Sequence, residues 1–339
     1  MQRRSHTRSA AGVALAAALI YPVCASAQAG AAAAGQADDV AVLQVRENVF
    51  MLVGAGGNVT VQVEPPKTAD VHDVSFNNEM GVLVVDPGSA AMSDKVIAAI
   101  RRLSSSTITY IINTGPDAAH VGANARLAGQ GQSARGGEGG NGVRGAAILA
   151  QQNVLARLSG RGAPEENNPN AWPTDAFDEN KRIRFNNEAI QILHEPAAHT
   201  DGDSIVFFRH SDVISAGDVF ITTGYPVIDL ARSGSLQGVI DALNRILDLA
   251  IPAHHEEGGT YIIPGHGRIC DEFDVLEYRD MITIIRDRVR AMIKKGMTLE
   301  QVKAARPTRD YDPQYGATTG DWTTDMFVEA AYRSLAGAR

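Results

Sequence analysis

Three histidines and one aspartate in this sequence lie where apolar runs end. His120, His199 and His266 fall in turns at predicted strand ends, and Asp218 follows another apolar run. Side chains at the mouths of separate strands can converge, and loops on a rigid sheet commonly carry functional sites. Imidazole and carboxylate together suit zinc and similar divalent metals. The pattern therefore predicts a metal centre.

Alternating strands and helices must position these side chains. Val-rich or apolar runs predict strands, which cover residues 48–53, 58–63, 81–86, 107–112, 182–185, 189–193, 204–208, 213–216 and 260–263. Apolar residues at helical spacing predict helices over residues 92–103 and 236–249. Strands and helices in this order indicate an α/β or α+β fold.

The C-terminal part is predicted to be helical. Apolar stripes predict helices over residues 273–295 and 324–335, and Thr298-x-x-Gln301 is a capping-box pattern that opens a short helix between them. Two other segments are predicted to be loops. One is the glycine-rich stretch 129–145, and the other is 64–78, which contains His72 and is long enough to act as a lid.

Five motifs occur in the order in which metallo-β-lactamase-fold hydrolases carry them, and residues 45–270 resemble that family. The matching pieces are Val84-Val85-Asp86-Pro87-Gly88, Ile112-Asn113-Thr114 with His120-Val121-Gly122-Ala123-Asn124, Ala198-His199-Thr200-Asp201-Gly202-Asp203, Ser215-Ala216-Gly217-Asp218 and Pro264-Gly265-His266-Gly267. The resemblance implies a four-layer αββα sandwich with a metal site at one edge of the packed sheets.

The chain departs from the family in its main ligand motif. Members usually carry His-x-His-x-Asp-His after the Asn-Thr pair. Here Gly115 stands in place of the first His, Asp117 in place of the second and Ala119 in place of the Asp, while His120 remains. In the family two metals are bound, and the residue that matches Asp218 bridges them.

The ligands that the resemblance leaves are His120, His199, Asp218 and His266. Asp117 is a possible fifth ligand, because a carboxylate can replace imidazole. This number of ligands favours one divalent ion with an open coordination position over two ions. Zinc is the expected ion, and the mixed nitrogen and oxygen donors also suit manganese or iron. A site without metal is the alternative.

Asp86 lies at a strand end, where the family has an acid that supports a ligand histidine. In that role it would orient the imidazole through its other nitrogen. The alternative is an ordinary turn aspartate before Pro87-Gly88.

The resemblance predicts a metallo-hydrolase in which metal-bound hydroxide attacks a small ester, amide, lactone or thioester. Asp218 and Asp117 are the candidate catalytic carboxylates. Loss of the motif aspartate at Ala119 leaves Asp117, or a water, to handle the proton, so we expect reduced activity. The alternative is a catalytically impaired relative that acts as a small-molecule binding protein. No Gly-x-Ser-x-Gly elbow points to a serine hydrolase.

The N-terminus predicts export. Arg3 and Arg4 precede an apolar run at residues 10–23, and Ala25-Ser26-Ala27 has the pattern of a cleavage site. Such a run is too short for a stable membrane span, so a periplasmic or secreted protein is expected. A retained anchor is the alternative, and Arg3-Arg4 leaves open a twin-arginine signal. The predicted organisation is a signal peptide at 1–27, a linker at 28–44, the metallo-β-lactamase-like domain at 45–270 and a helical extension at 271–339.

The net charge and the composition limit the classes of binding partner. The net charge is −8, with 31 Lys and Arg against 39 Asp and Glu, and a nucleic-acid-binding protein would show a basic excess. The apolar fraction of 44% excludes a disordered chain. A small-molecule substrate is the expected partner, and the sequence leaves the oligomeric state open.

Overall fold

Two β-sheets pack face to face, and helices cover both outer faces. The structure is a computed structural model that describes residues 40–66, 79–132, 145–163, 165, 167–255 and 258–337. The four layers confirm the predicted αββα sandwich.

The first sheet has seven strands in sequential order. They are β1 (Ala41–Arg46), β2 (Val49–Val53), β3 (Val59–Gln62), β4 (Val82–Val85), β5 (Ile108–Ile112), β6 (Ala147–Gln151) and β7 (Asp175–Phe177). The pairs from β1 to β4 are antiparallel, and those from β4 to β7 are parallel. The parallel strands β4 and β5 therefore present their carboxyl ends at one edge, where the loop with Asp117 begins.

The second sheet has five strands in the order β12-β11-β10-β9-β8. They are β8 (Asn180–Phe185), β9 (Glu188–Glu195), β10 (Asp203–Phe208), β11 (Val213–Ile221) and β12 (Tyr261–His266). Only β11 and β12 run parallel among these described strands. That arrangement places the ends of β11 and β12 side by side.

The helices are α1 (Ser93–Leu103), α2 (Ala118–Val121), α3 (Asn124–Ala128), α4 (Gln152–Ser159), α5 (Leu236–Leu249), α6 (Glu272–Lys294), α7 (Leu299–Ala305), α8 (Asp312–Tyr315) and α9 (Thr324–Gly337). Helices α1 and α3 cover the first sheet, and α5, α6 and α9 cover the second. Burial of their apolar stripes drives this packing, at about 25 cal/mol per Å² of apolar surface.

The core between the sheets is built from inward-facing aliphatic and aromatic side chains. Met51, Leu83 and Ile112 of the first sheet pack with Phe185 and Phe208 of the second, and all five are fully buried. This layer fixes the two sheets relative to each other, so side chains at their common edge have a rigid support.

Several predicted boundaries need correction. Strand β1 begins at Ala41, inside the segment predicted as linker, and it is formed by antiparallel pairing with β2. Strand β11 continues to Ile221 and β12 to His266, so Asp218 and His266 lie within strands rather than in turns after them. His120 lies in the short helix α2.

The predicted helices over 92–103, 236–249, 273–295 and 324–335 are present within two residues at each end. The capping box of Thr298 and Gln301 is also confirmed. The signal peptide, His72 and residues 133–144 of the glycine-rich segment lie outside the described residues. None of the described helices is both long enough and apolar enough to cross a membrane.

Candidate metal centre

Strand β5 and the turn after it bring Asp117 and His120 to the sheet edge. The turn is held by Asp86, whose carboxylate accepts hydrogen bonds from the Thr114 amide at 2.8 Å and the Thr114 hydroxyl at 2.6 Å. Asp117 precedes the first turn of α2, and His120 lies within that helix, 1% exposed. One anchored turn and the short helix that follows it therefore supply both side chains.

His199 comes from the turn between β9 and β10. Asp203 fixes that turn, because its carboxylate accepts hydrogen bonds from the amide and the hydroxyl of Thr200, both at 2.7 Å. The His199 Nδ1 donates to the carbonyl of Val227 at 2.9 Å, and its Nε2 donates to Asp117 Oδ2 at 2.6 Å. The two sheets thus each contribute one partner to this pair.

Asp218 lies on β11 at an irregularity that begins at Gly217. The φ angle of Gly217 is +53°, and a Cβ there would lie 2.1 Å from the Thr114 hydroxyl oxygen. Only glycine allows this close approach, which turns the strand and directs Asp218 into the site.

His266 ends β12 beside Asp218. Its Nε2 lies 3.5 Å from Asp218 Oδ1, and the rings of His120 and His266 meet edge to face with centroids 6.0 Å apart. Gly265 makes the approach possible, because a Cβ at that position would lie 2.3 Å from Asp218 Oδ1. Gly265 is the first glycine of the Pro264-Gly265-His266-Gly267 motif, so the motif supplies both the ligand and the space beside it.

The five residues named from the sequence form two groups that share Asp218. His120, Asp218 and His266 make one group, and Asp117, His199 and Asp218 make the other. Within each group the potential ligand atoms all lie within 4.8 Å of one another. The number of ligands in the sequence favours one ion, whereas the structure arranges the same residues in two sets of three that share Asp218.

The first group has the features of a metal site. Asp218 Oδ1 is buried and has no hydrogen-bond partner among the described residues. The His120 Nδ1 lies 2.9 Å from Asp86 Oδ2, while its Nε2 faces Asp218 Oδ2 at 3.0 Å. A carboxylate behind the ring fixes the imidazole so that its other nitrogen faces the ligand position. The donor set therefore fits a divalent cation.

Asp86 adopts a backbone conformation that residues other than glycine rarely take. Its φ angle is +54°, and the residue is buried. Strain of this kind persists where surrounding contacts enforce it, and Asp86 binds both Thr114 and His120. These contacts favour the supporting role over the ordinary turn aspartate.

The charges at the site are strongly coupled. Burial opposes ionisation of Asp218, but the positive charge of His120 holds the pKa of this carboxyl below its usual range. Burial also opposes the charged form of His120, yet the carboxylates of Asp218 and Asp86 raise its pKa well above the usual value. A cation would replace protons in balancing these carboxylates.

Arg232 belongs to the second group, and the sequence did not indicate it. Its Nη1 donates to Asp117 Oδ1 at 2.7 Å, and its Nε lies 3.3 Å from Asp229 Oδ2. Despite burial, hydrogen bonds from His199 and Arg232 lower the pKa of Asp117 to about 2. No local pattern could reveal this pair, because 115 positions separate the two residues.

A cleft of about 920 Å³ opens beside both groups. Asp117, His199, Asp218 and His266 line one side of it. Trp322 and residues of α9 also line the cleft, although no motif in the sequence of this C-terminal segment indicated a part in the site. The volume lies in the range of pockets that bind small molecules.

Comparison with protein families gives one match. A model described as the metallo-beta-lactamase superfamily matches residues 73–272, which is more than half of the chain. No curated protein matches the chain.

Solved structures with a similar fold are distant in sequence. A double mutant of a sec-alkyl sulfatase gives a TM-score of 0.60 at 12% identity, over 88% of this chain and 51% of that one. The stereoselective inverting sec-alkylsulfatase from Pseudomonas sp. gives 0.56 at 12% identity, with the same shares. A metallo-beta-lactamase from Pontibacter korlensis gives 0.51 at 11% identity, over 72% and 99%. The chain spans about half the length of the sulfatase.

Proposed function

Because the chain belongs to the metallo-β-lactamase superfamily, we propose that it is an exported metal-dependent hydrolase of a small ester, amide, lactone or thioester. The observation that carries the proposal is the pair of ligand groups around Asp218, at the mouth of a cleft large enough for such substrates. Export is proposed from the N-terminal signal pattern alone.

His120, Asp218 and His266 would hold the tighter ion, with zinc expected and manganese or iron also suited to these donors. Asp86 supports this group from behind His120, and Asp218 Oδ1 is buried without a partner among the described residues. In the second group, Arg232 and His199 already occupy the carboxylate of Asp117. A cation there would meet the charge of Arg232, so we propose one tight ion and a weaker second site.

When bound, a divalent ion supplies a nucleophile near neutral pH by acidifying water, and it polarises the bond under attack. The chain itself contributes orientation and proton handling. Asp218 belongs to both groups, and Asp117 precedes Ala119, the position of the missing motif aspartate, by two residues. Both oxygens of Asp117 accept hydrogen bonds, which weakens it as a base and supports reduced activity.

The sulfatase neighbours share the fold but not the sequence, so they add one substrate class to the test. The purified mature chain is assayed with chromogenic esters, lactams and thioesters and with a secondary alkyl sulfate. We expect hydrolysis of at least one class, its loss on chelation and recovery with zinc. His266→Ala should abolish it, whereas His254→Ala, which changes an exposed histidine outside the cleft, should not.

The second candidate function is a binding protein without catalysis. The observation that favours it is the occupation of Asp117 by Arg232 and His199. A zinc-loaded chain that hydrolyses none of these substrates, yet is stabilised thermally by one of their products, would support binding and contradict the hydrolase.

A further inference from the structure

The C-terminal helix α9 forms a wall of the cleft, outside the segment that the family model matches. Trp322, Met326 and Ala330 line the cleft, whereas the match ends at residue 272. We infer that this wall binds the apolar arm of an amphipathic substrate, so that the hydrolase acts on esters with an extended acyl or alkyl chain. The inference rests on the proposed function and assigns its specificity to Met326, Trp322 and Leu230.

Exposed apolar side chains at the mouth of the cleft support this assignment. Met326 is 43% exposed and Leu230 is 37% exposed, and both line the cleft. Val227 and Ile228 also line it, and the Val227 carbonyl accepts a hydrogen bond from His199 Nδ1. Apolar groups that line one cleft together, beside a polar reaction centre, are typical of a ligand-binding groove. An alkyl chain on this surface would bury them.

Trp322 adds a ring and a hydrogen-bond donor to the wall. Its indole Nε1 is buried and has no hydrogen-bond partner among the described residues. A buried indole N–H normally has a partner. An oxygen of a bound ester could fill this role while the ring contacts the chain.

The charges that line the cleft argue against polyphosphate substrates. Arg232 is already paired with Asp117 and Asp229, and the Arg333 Nε donates to Glu329 Oε1 at 2.9 Å. Asp321 and Glu329 add negative charge to the same surface. A polyanion needs cationic groups that are not already paired. A neutral or singly charged amphiphile can bind without such cationic groups.

The wall is rigid enough to select a substrate. Phe327, on the inner face of α9, stacks on Tyr225 with ring centroids 4.6 Å apart and planes within 6°. The Ser334 hydroxyl accepts a hydrogen bond from the Leu236 amide at 3.1 Å. Because the inner face of α9 is fixed to the core, the backbone that carries Met326 is in place before substrate arrives, and Trp322 packs against the same core.

The test compares 4-nitrophenyl acetate, butanoate and octanoate on the zinc-loaded full mature chain. We expect kcat/KM to rise with chain length, by up to about fourfold per methylene where the chain contacts the wall. Met326→Glu should lower the ratio of kcat/KM for octanoate to that for acetate at least tenfold. Phe273→Glu is the matched control, because Phe273 is 58% exposed on α6 and does not line the cleft.

A binding measurement separates this inference from the proposed function. Octanoate should change the tryptophan fluorescence of the wild type, and Trp322→Phe should remove that change while Trp172 remains. Binding without hydrolysis of any ester would keep the inference and overturn the hydrolase. Equal hydrolysis of acetate and octanoate, unchanged in Met326→Glu, would keep the hydrolase and overturn the inference.

Discussion

Asp218 has a central place in the proposed site because both ligand groups contain it. Its position depends on two glycines, Gly217 before it and Gly265 on the adjacent strand. A side chain at Gly265 would collide with Asp218 Oδ1, since the Cβ would lie 2.3 Å away. The close packing of the backbone at Gly217 and Gly265 therefore determines where the Asp218 carboxylate lies.

We predict that Gly265→Ala weakens zinc binding at least tenfold and destabilises the fold by about 1 to 3 kcal/mol, because the added methyl displaces Asp218 or strains β12. Chelator competition measures the first effect and urea unfolding the second. Gly337→Ala is the control, because a Cβ there meets no atom within 4 Å. Unchanged zinc affinity in Gly265→Ala would show that Asp218 is not a ligand.

The types of His120, His199, His266 and Asp218 and their predicted positions at strand ends made them candidates from the sequence alone. The structure brings all four together with Asp117. Arg232 and Trp322 could not be found in this way, because each reaches the cleft from a segment remote in sequence. An arginine or a tryptophan carries no local signal of such a contact.

At the scale of elements, helix α6 depends on the cap at its first turn. The Asp271 carboxylate accepts a hydrogen bond from the Asp274 amide at 3.1 Å, and Asp274 accepts one from the Asp271 amide at 3.2 Å. This helix packs against α5 and α9, so its start also anchors the wall of the cleft.

We predict that Asp271→Ala lowers the free energy of unfolding by about 1 kcal/mol, because the first turn of α6 loses its side-chain acceptor. Urea unfolding should show a lower midpoint with an unchanged slope. Glu277→Ala, an exposed change in the same helix, should have little effect. Equal midpoints for Asp271→Ala and the wild type would contradict the role of the cap.

Long elements with a clear apolar period were predictable, and α5 matches its prediction at both ends. Strands β6 and β7 were missed. Strand β7 has only three residues, and β6 follows a glycine-rich segment that masks its signal. Strand β1 was missed because its apolar residues do not alternate with polar ones, and antiparallel pairing with β2 defines it.

For the whole molecule, Glu195 makes stability depend on pH. Burial raises the pKa of Glu195 to about 7, against the opposing charge of Arg245, and the carboxylates of Asp203 and Asp241 add to the rise. The unfolded side chain ionises near pH 4.5. Between these values the folded chain holds a proton that the unfolded chain has released, so stability falls as pH rises.

We predict that Glu195→Gln removes this fall, which is on the order of 2 to 3 kcal/mol between pH 4.5 and 7. Urea unfolding across this range should give a flatter profile for Glu195→Gln than for the wild type. Glu47→Gln, at an exposed position, should keep the wild-type slope. A Glu195→Gln profile parallel to that of the wild type would contradict the assignment.

The most direct test of the metal centre is the zinc content and zinc affinity of the wild type, Asp117→Ala and His266→Ala. We predict one tightly bound ion in the wild type and in Asp117→Ala. In His266→Ala we expect a dissociation constant at least a hundredfold weaker, a loss of about 3 kcal/mol. A wild-type chain that binds no divalent metal, or a His266→Ala variant that binds zinc as tightly as the wild type, would contradict the account.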